Sequence, residues 1–421
     1  VRFRSGAGPA ALKRIGAAAG LRVASARELA ASEAPALADF GGADILYFER
    51  FNIAIIQQDQ EHLRAALRAA GDEEAVAGAR PERRFRTIGR APGLDPLPPA
   101  TGTRSHWSAD YLRGYRDGVT RLVDHLLDQA PAQGFWESRE LAGATWGLVA
   151  SRVTESRLSG SGIKLAVLDT GMDLGHPDFA GRRVVARSFI DGQPVQDGNG
   201  HGTHCIGTAA GPHEPSGQPR YGIAHGAVIH AGKVLGDDGF GSDRSIIAGI
   251  DWALGEGCEV ISMSLGARVQ PGEVYLQDYE EIAEICLDAG CLIVAAAGND
   301  SRRPASIAPV SSPANCPSVM AVGAIDPAVE VAPFSNGGIN AGQSVDIVAP
   351  GVDVLSSVPG GHAEFDGTSM ATPHVAGVAA LCAEIDPKYR GRALWAMLLQ
   401  HARPLVLPVR DVGRGLLQAP R

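Results

Sequence analysis

The chain has 421 residues, 45% hydrophobic and 20% charged, and its 38 Lys plus Arg against 47 Asp plus Glu leave a net charge of −9. This is the balance of a soluble globular protein rather than a disordered one, and nothing in it signals a nucleic-acid partner. No apolar run approaches the ~18 residues needed to cross a bilayer, so no membrane partner is expected. No signal peptide is visible in the Ala-rich start, which Lys13, Arg14, Arg22 and Arg27 interrupt.

On a rough prior of ~150 residues per domain, the length suggests two or three domains. Residues 45–57 read as β-rich, 60–70 place Leu63, Ala66 and Leu67 at helical spacing, and 84–88 read as a further strand, which together make a small α/β unit over 1–90. Residues 91–140 hold a Pro- and Gly-rich connector at 91–102, then a helix over 108–128 with Tyr111, Tyr115, Val119 and Leu122 on its apolar stripe. From 141 to 421 short apolar runs alternate with longer helical ones. Strands are predicted at 163–168, 228–234, 260–265, 292–297, 319–322 and 345–348, and helices at 242–254, 275–289 and 369–385. That alternation predicts an α/β fold with a doubly wound, mainly parallel sheet covered on both faces. The six cysteines sit mostly in apolar or small-residue company with no Cys-x-x-Cys pair, and are expected to be reduced and packed.

In such sheets ligands gather beyond the carboxyl ends of the strands, so polar residues directly after apolar runs carry the interest. Asp169 closes the run at 163–168, His201 precedes a small-residue helix, Asn299 follows the run at 292–298, and Ser369 lies in FDGTSMATPHVAG. Acyl transfer needs a hydroxyl nucleophile activated by an imidazole base, whose tautomer and cationic form are held by a buried carboxylate. Ser369, His201 and Asp169 supply those three types. Charge developing on the carbonyl oxygen needs preorganised donors, and the Asn299 amide and Ser369 N–H can provide two. Ser369 is expected to open a helix, leaving its N–H free of an intrahelical partner, with Pro373 in the first turn.

Taken singly, these residues have plainer readings: Asp169 or Ser369 as a helix cap, and Asn299 with Asp300 and Ser301 as a turn. His201 and His204 are spaced like a metal pair, but no third ligand accompanies them, so His204, like His374, reads as a packing histidine. Cys205 is expected to crowd the site and make it sensitive to bulky thiol reagents, not to act as nucleophile.

Asp169-Thr170-Gly171, His201-Gly202-Thr203-His204, Ala297-Gly298-Asn299 and Gly367-Thr368-Ser369-Met370-Ala371-Thr372-Pro373-His374 resemble the four signature blocks of the subtilisin-like serine proteases, in that family's order of Asp, His and Ser. The likeness runs over 145–419 and includes Trp146-Gly147 and His176-Pro177-Asp178-Phe179. It implies a serine endopeptidase using an Asp169, His201, Ser369 triad and an acyl-enzyme, with Asn299 and Ser369 as oxyanion hole. It also implies that Ser264, Leu265 and Gly266 pair with the backbone of protein or peptide substrates, with Ala297 and Gly298 alongside. A cis bond at Ser312-Pro313, and Asp300 and Ser311 at the pocket rim, are further expectations.

The same resemblance makes 1–90 a prodomain-like unit that assists the folding of its own catalytic domain (141–421) and then inhibits it, and so implies a self-processing zymogen, monomeric and secreted. It implies no cofactor for catalysis, but a structural calcium with Asp178 as ligand, although residues 211–222 depart from the family's usual calcium-binding turn. A fold retained without activity is the competing reading, and the competent residues at all four chemical positions weigh against it.

Overall fold

The computed structural model describes residues 1–27, 42–58, 60–88 and 143–421. The connector at 91–102 and the helix at 108–128 lie outside the described residues.

The N-terminal elements are β1 (Arg2–Phe3), α1 (Gly8–Ala19), β2 (Val23–Ser25), β3 (Ile45–Phe48), β4 (Ile53–Ile56), α2 (Gln60–Ala70) and β5 (Val76–Gly78), and the five strands order as β2-β3-β4-β1-β5. The apolar run at 45–57 is thus a hairpin, with Tyr47 opposite Ala54. Phe3, Leu12, Ile15, Tyr47 and Leu67 pack a small separate core between this sheet and its helices. The strand β6 (Arg84–Thr87) leaves that sheet altogether.

Residues 143–421 form α3 (Trp146–Ala150), β7 (Lys164–Asp169), β8 (Val184–Ser188), α4 (His201–Ala210), β9 (Val228–Lys233), β10 (Phe240–Ser242), α5 (Asp243–Gly255), β11 (Val260–Met263), β12 (Leu265–Gly266), α6 (Gln277–Asp288), β13 (Leu292–Ala296), β14 (Met320–Ile325), β15 (Ile347–Pro350), β16 (Val354–Val358), β17 (Gly361–Phe365), α7 (Thr368–Ile385), α8 (Gly391–His401) and α9 (Val409–Val412). Seven strands make one parallel sheet in the order β15-β14-β13-β11-β7-β9-β8. Side chains alternate across a strand, so β7 sends Leu165 and Val167 to one core and Ala166 and Leu168 to the other. The first core holds α4 and α7, the second α5 and α6. Both faces are covered, which is why the strands read as continuous apolar runs.

Helix α7 is apolar all round because it is buried all round. Its small residues let α4 come close: a Cβ on Gly377 would stand 2.8 Å from the Ala209 carbonyl oxygen.

One predicted strand divides. Residues 260–265 split at Ser264, where β11 ends in the large sheet and β12 turns off to join a three-stranded sheet ordered β10-β6-β12. Both neighbours run antiparallel to β6. A strand from the N-terminal stretch therefore sits between two strands of the large unit.

Candidate active site

Asp169 is the last residue of the interior strand β7, and His201 is the first of α4. The strand end and the helix start meet because Gly202 has no side chain: a Cβ there would stand 2.3 Å from the Gly171 carbonyl oxygen. Asp169 Oδ1 lies 2.8 Å from His201 Nδ1 and also accepts the Thr170 N–H at 2.7 Å. Both side chains are buried. Burial alone would pull the His201 imidazole below its ordinary value, but the adjoining Asp169 carboxylate outweighs it and holds the ring well above.

Residues that sequence reasoning passed over hold this pair. Thr170 Oγ1 donates to Asp197 (2.9 Å) and accepts the Gly202 N–H (2.8 Å), while Asp197 accepts from Gly200 and Thr203 at 2.8 Å each. Lys233, fully buried, donates to the Thr170 carbonyl and to Asp237 (2.6 Å), and Asp237 in turn accepts the Gly198 N–H at 3.1 Å. The loop after Asp169 and the loop before His201 are thereby tied to one ammonium group. A lysine ending an apolar run was the available signal, and in the sheet Lys233 is the register partner of Asp169.

Ser369 lies in the first turn of α7, as expected, but Pro373 is that helix's sixth residue and not in its first turn. Lacking an N–H, Pro373 leaves the Ser369 carbonyl without its intrahelical donor. Ser264 Oγ takes that carbonyl at 2.8 Å, and the Cys205 thiol approaches it at 3.6 Å. The Ser369 hydroxyl donates back to the Ser264 carbonyl at 3.0 Å. It makes no hydrogen bond to His201, whose Nε2 is buried and unpartnered. Cys205 Sγ is also 3.8 Å from His201 Nδ1, so imidazole and serine flank one sulfur. Burial pushes the Cys205 thiol up, away from thiolate.

Asn299 Nδ2 donates to the Ile88 carbonyl oxygen at 2.8 Å, and the Ser369 N–H donates to the same oxygen at 3.3 Å. The amide has one orientation because Asn299 Oδ1 accepts both the N–H and the hydroxyl of Thr368, each at 2.9 Å. Thr368 is a further residue that sequence reasoning did not single out. Upstream of Ile88, Leu265 pairs with Thr87 and Gly266 with Arg86, and the Ile88 N–H reaches the Ser264 carbonyl at 3.3 Å.

Ala297 and Gly298 do not pair with this segment. Their backbone groups go to Val322, Ser311, Asn336 and Thr368, so they shape the wall beside it. Asp300 and Ser311 line a cavity of about 260 Å³ together with Ile88, and Ser312-Pro313 is cis. His204 stacks on Phe365, and burial pulls it down to about 3; burial likewise pulls His374 to about 4. Both are neutral packing histidines. All six cysteines are buried and free.

Residues 160–416 match the model of the Subtilase family. The chain belongs to the subtilase family. It is 44% identical over 234 residues to M-protease of Shouchella clausii (strain KSM-K16), a match covering 55% of this chain and 57% of that protein. It is 43% identical over 234 residues to subtilisin BL of Lederbergia lenta (55% and 80% covered) and 40% identical over 232 residues to subtilisin E of Bacillus subtilis (strain 168) (55% and 58% covered). This subtilase thus spans little more than half the length of M-protease and subtilisin E. No helix among its described residues is long and apolar enough to cross a membrane.

Subtilase catalysis needs no cofactor. The expected calcium at Asp178 does not fit the donors there. Asp178 Oδ2 accepts from the Tyr221 hydroxyl and from His362 Nε2 (2.8 Å), with the His176 ring edge-on to His362. Burial would push this carboxyl up, but those hydrogen bonds outweigh it and hold it below its ordinary value. Calcium takes six to eight oxygen ligands, whereas two imidazoles and a phenol surround this carboxylate.

Proposed function

We propose that this subtilase is a monomeric, secreted endopeptidase made as a zymogen that cuts itself between Ile88 and Gly89. One observation carries the reading: the Ile88 carbonyl oxygen lies on Asn299 Nδ2 and the Ser369 N–H, at the end of a strand paired on both sides. Two donors converging on one carbonyl at a helix N-terminus is the arrangement an oxyanion requires.

In the reaction, Ser369 Oγ turns from the Ser264 carbonyl toward His201 and attacks the carbonyl carbon, passing its proton to Nε2. Asp169 compensates the imidazolium, and the two donors receive the oxyanion. His201 then protonates the leaving amine, and water, deprotonated by the same ring, releases the acyl-enzyme. Residues 1–88 remain as inhibitor, their last strand filling the substrate's place.

Intact mass measurement is the test. Wild-type chain is expected to yield a fragment ending at Ile88 and a second beginning at Gly89, and the Ser369→Ala chain neither. A cut at Ile88–Gly89 in the Ser369→Ala chain, or a wild-type cut elsewhere alone, overturns the proposed self-processing.

Only neutral His201 can accept the serine proton. Since Asp169 holds the ring above its ordinary value of about 6.5, kcat/KM is expected to fall with acidification along a limb whose midpoint lies above that pH. A limb with its midpoint below pH 6 would contradict the Asp169 to His201 coupling.

A further inference from the structure

The strand that fills the cleft is strongly basic. Arg80, Arg83, Arg84 and Arg86 lie within nine residues, and each meets a carboxylate of the large unit. Arg80 bridges Asp243 (2.7 Å) and Asp278, and Arg83 reaches Glu273. Closer to the scissile position, the Arg86 guanidinium is 3.1 Å from Asp300, and that of Arg84 is 3.7 Å from Asp238 and lies over the Phe240 ring. Strand alternation explains the arrangement. Phe85 turns inward, fully buried against Tyr279, and the arginines on either side of it turn to the carboxylates at the rim.

The two rim acids differ. With Arg86 against it, Asp300 is only 15% exposed, and its backbone N–H is fixed on the Asn336 side chain at 2.9 Å. Asp238 is 64% exposed, and its pair with Arg84 is long. Arg268 and Arg302 line the same cavity as Asp300 and oppose a further cation there, but the Arg302 guanidinium is drawn off to the Ser301 carbonyl at 2.8 Å.

Building on the endopeptidase reading above, we propose that Asp300 and Asp238 are subsites for cationic side chains at the third and fifth residues before the cut bond, which makes arginine-rich polypeptide segments the preferred substrates. The inhibitory strand occupies these subsites as a substrate does. Ion pairs this close to water give small factors: about threefold to fivefold in kcat/KM for Asp300 and up to about twofold for Asp238, both screened by salt.

The experiment compares four fluorogenic peptides copying residues 84–91: the native sequence, R84Q, R86Q and the double change, cleaved by enzyme from the expressed full chain, with casein as a general substrate. The native peptide is expected to exceed the double change by about threefold to tenfold at low salt, and by less than half that ratio in 1 M NaCl. In Asp300→Asn enzyme the ratio of native to R86Q peptide is expected to fall to about one, while the ratio of native to R84Q persists. A ratio within one enzyme is insensitive to general damage by the substitution. Equal cleavage of all four peptides, or cleavage of casein but of no peptide, overturns the subsites and leaves the endopeptidase reading standing. Failure on casein and on every peptide overturns both.

Discussion

Ser369→Ala enzyme is expected to hydrolyse peptides about 10⁶-fold more slowly than wild type, the scale known for the serine of subtilisin. The reason is chemical. A methyl group cannot form an ester, so the acyl-enzyme route closes, and only the oxyanion donors and substrate alignment remain to help water attack. That remainder is worth roughly 10³ to 10⁴ over the uncatalysed reaction. The fold tolerates the change, because the Ser369 hydroxyl gives one hydrogen bond to the Ser264 carbonyl, while its carbonyl and N–H keep their partners. Turnover of a fluorogenic peptide, with unchanged thermal unfolding as control, is the measurement. Activity within tenfold of wild type would remove Ser369 as nucleophile.

Asn299→Ala is expected to cost about 10² to 10³ in kcat with little change in KM. The amide reaches the Ile88 carbonyl oxygen at 2.8 Å, and that contact gains most when the oxygen becomes an anion. Its strength depends on aim, and the aim comes from Thr368, which fills the Asn299 Oδ1 lone pairs. A smaller loss of the same kind follows for Thr368→Val, where one of those two hydrogen bonds persists through the backbone. A rise in KM with kcat intact in the Asn299 variant would make the amide a ground-state binder instead.

Much of the large sheet was legible because six of its seven strands are buried on both faces and read as unbroken apolar runs. β8 was not, since an edge strand with half-buried residues such as Val184 and Val185, and with Arg187, has no such run. β10 and β17 were hidden because they are short or only partly buried, and β16 because Ser356 and Ser357 interrupt its apolar residues. The break at Ser264 could not be read from residues 260–265, all apolar or small, because pairing with β6 is a long-range event. Asp169, His201, Asn299 and Ser369 were legible by chemistry at strand and helix ends. Thr368, Lys233 and Asp237 were not, because their roles lie in whom they touch. Asp178 misled for the converse reason: its own position suits a metal, but Tyr221 and His362, distant in sequence, supply the wrong atoms.

The place of β6 between β10 and β12 separates two events that sound like one. Among the described residues, the hydrogen bonds that seat the strand end at or before the Ile88 carbonyl, so severing the next bond would subtract none of these. If the proposed cut is made, two paired strand edges, the buried Phe85 and a row of arginine ion pairs still hold the severed piece, and its release is expected to be the slower step. On the proposed cut after Ile88, maturation becomes a dissociation problem rather than a cleavage problem.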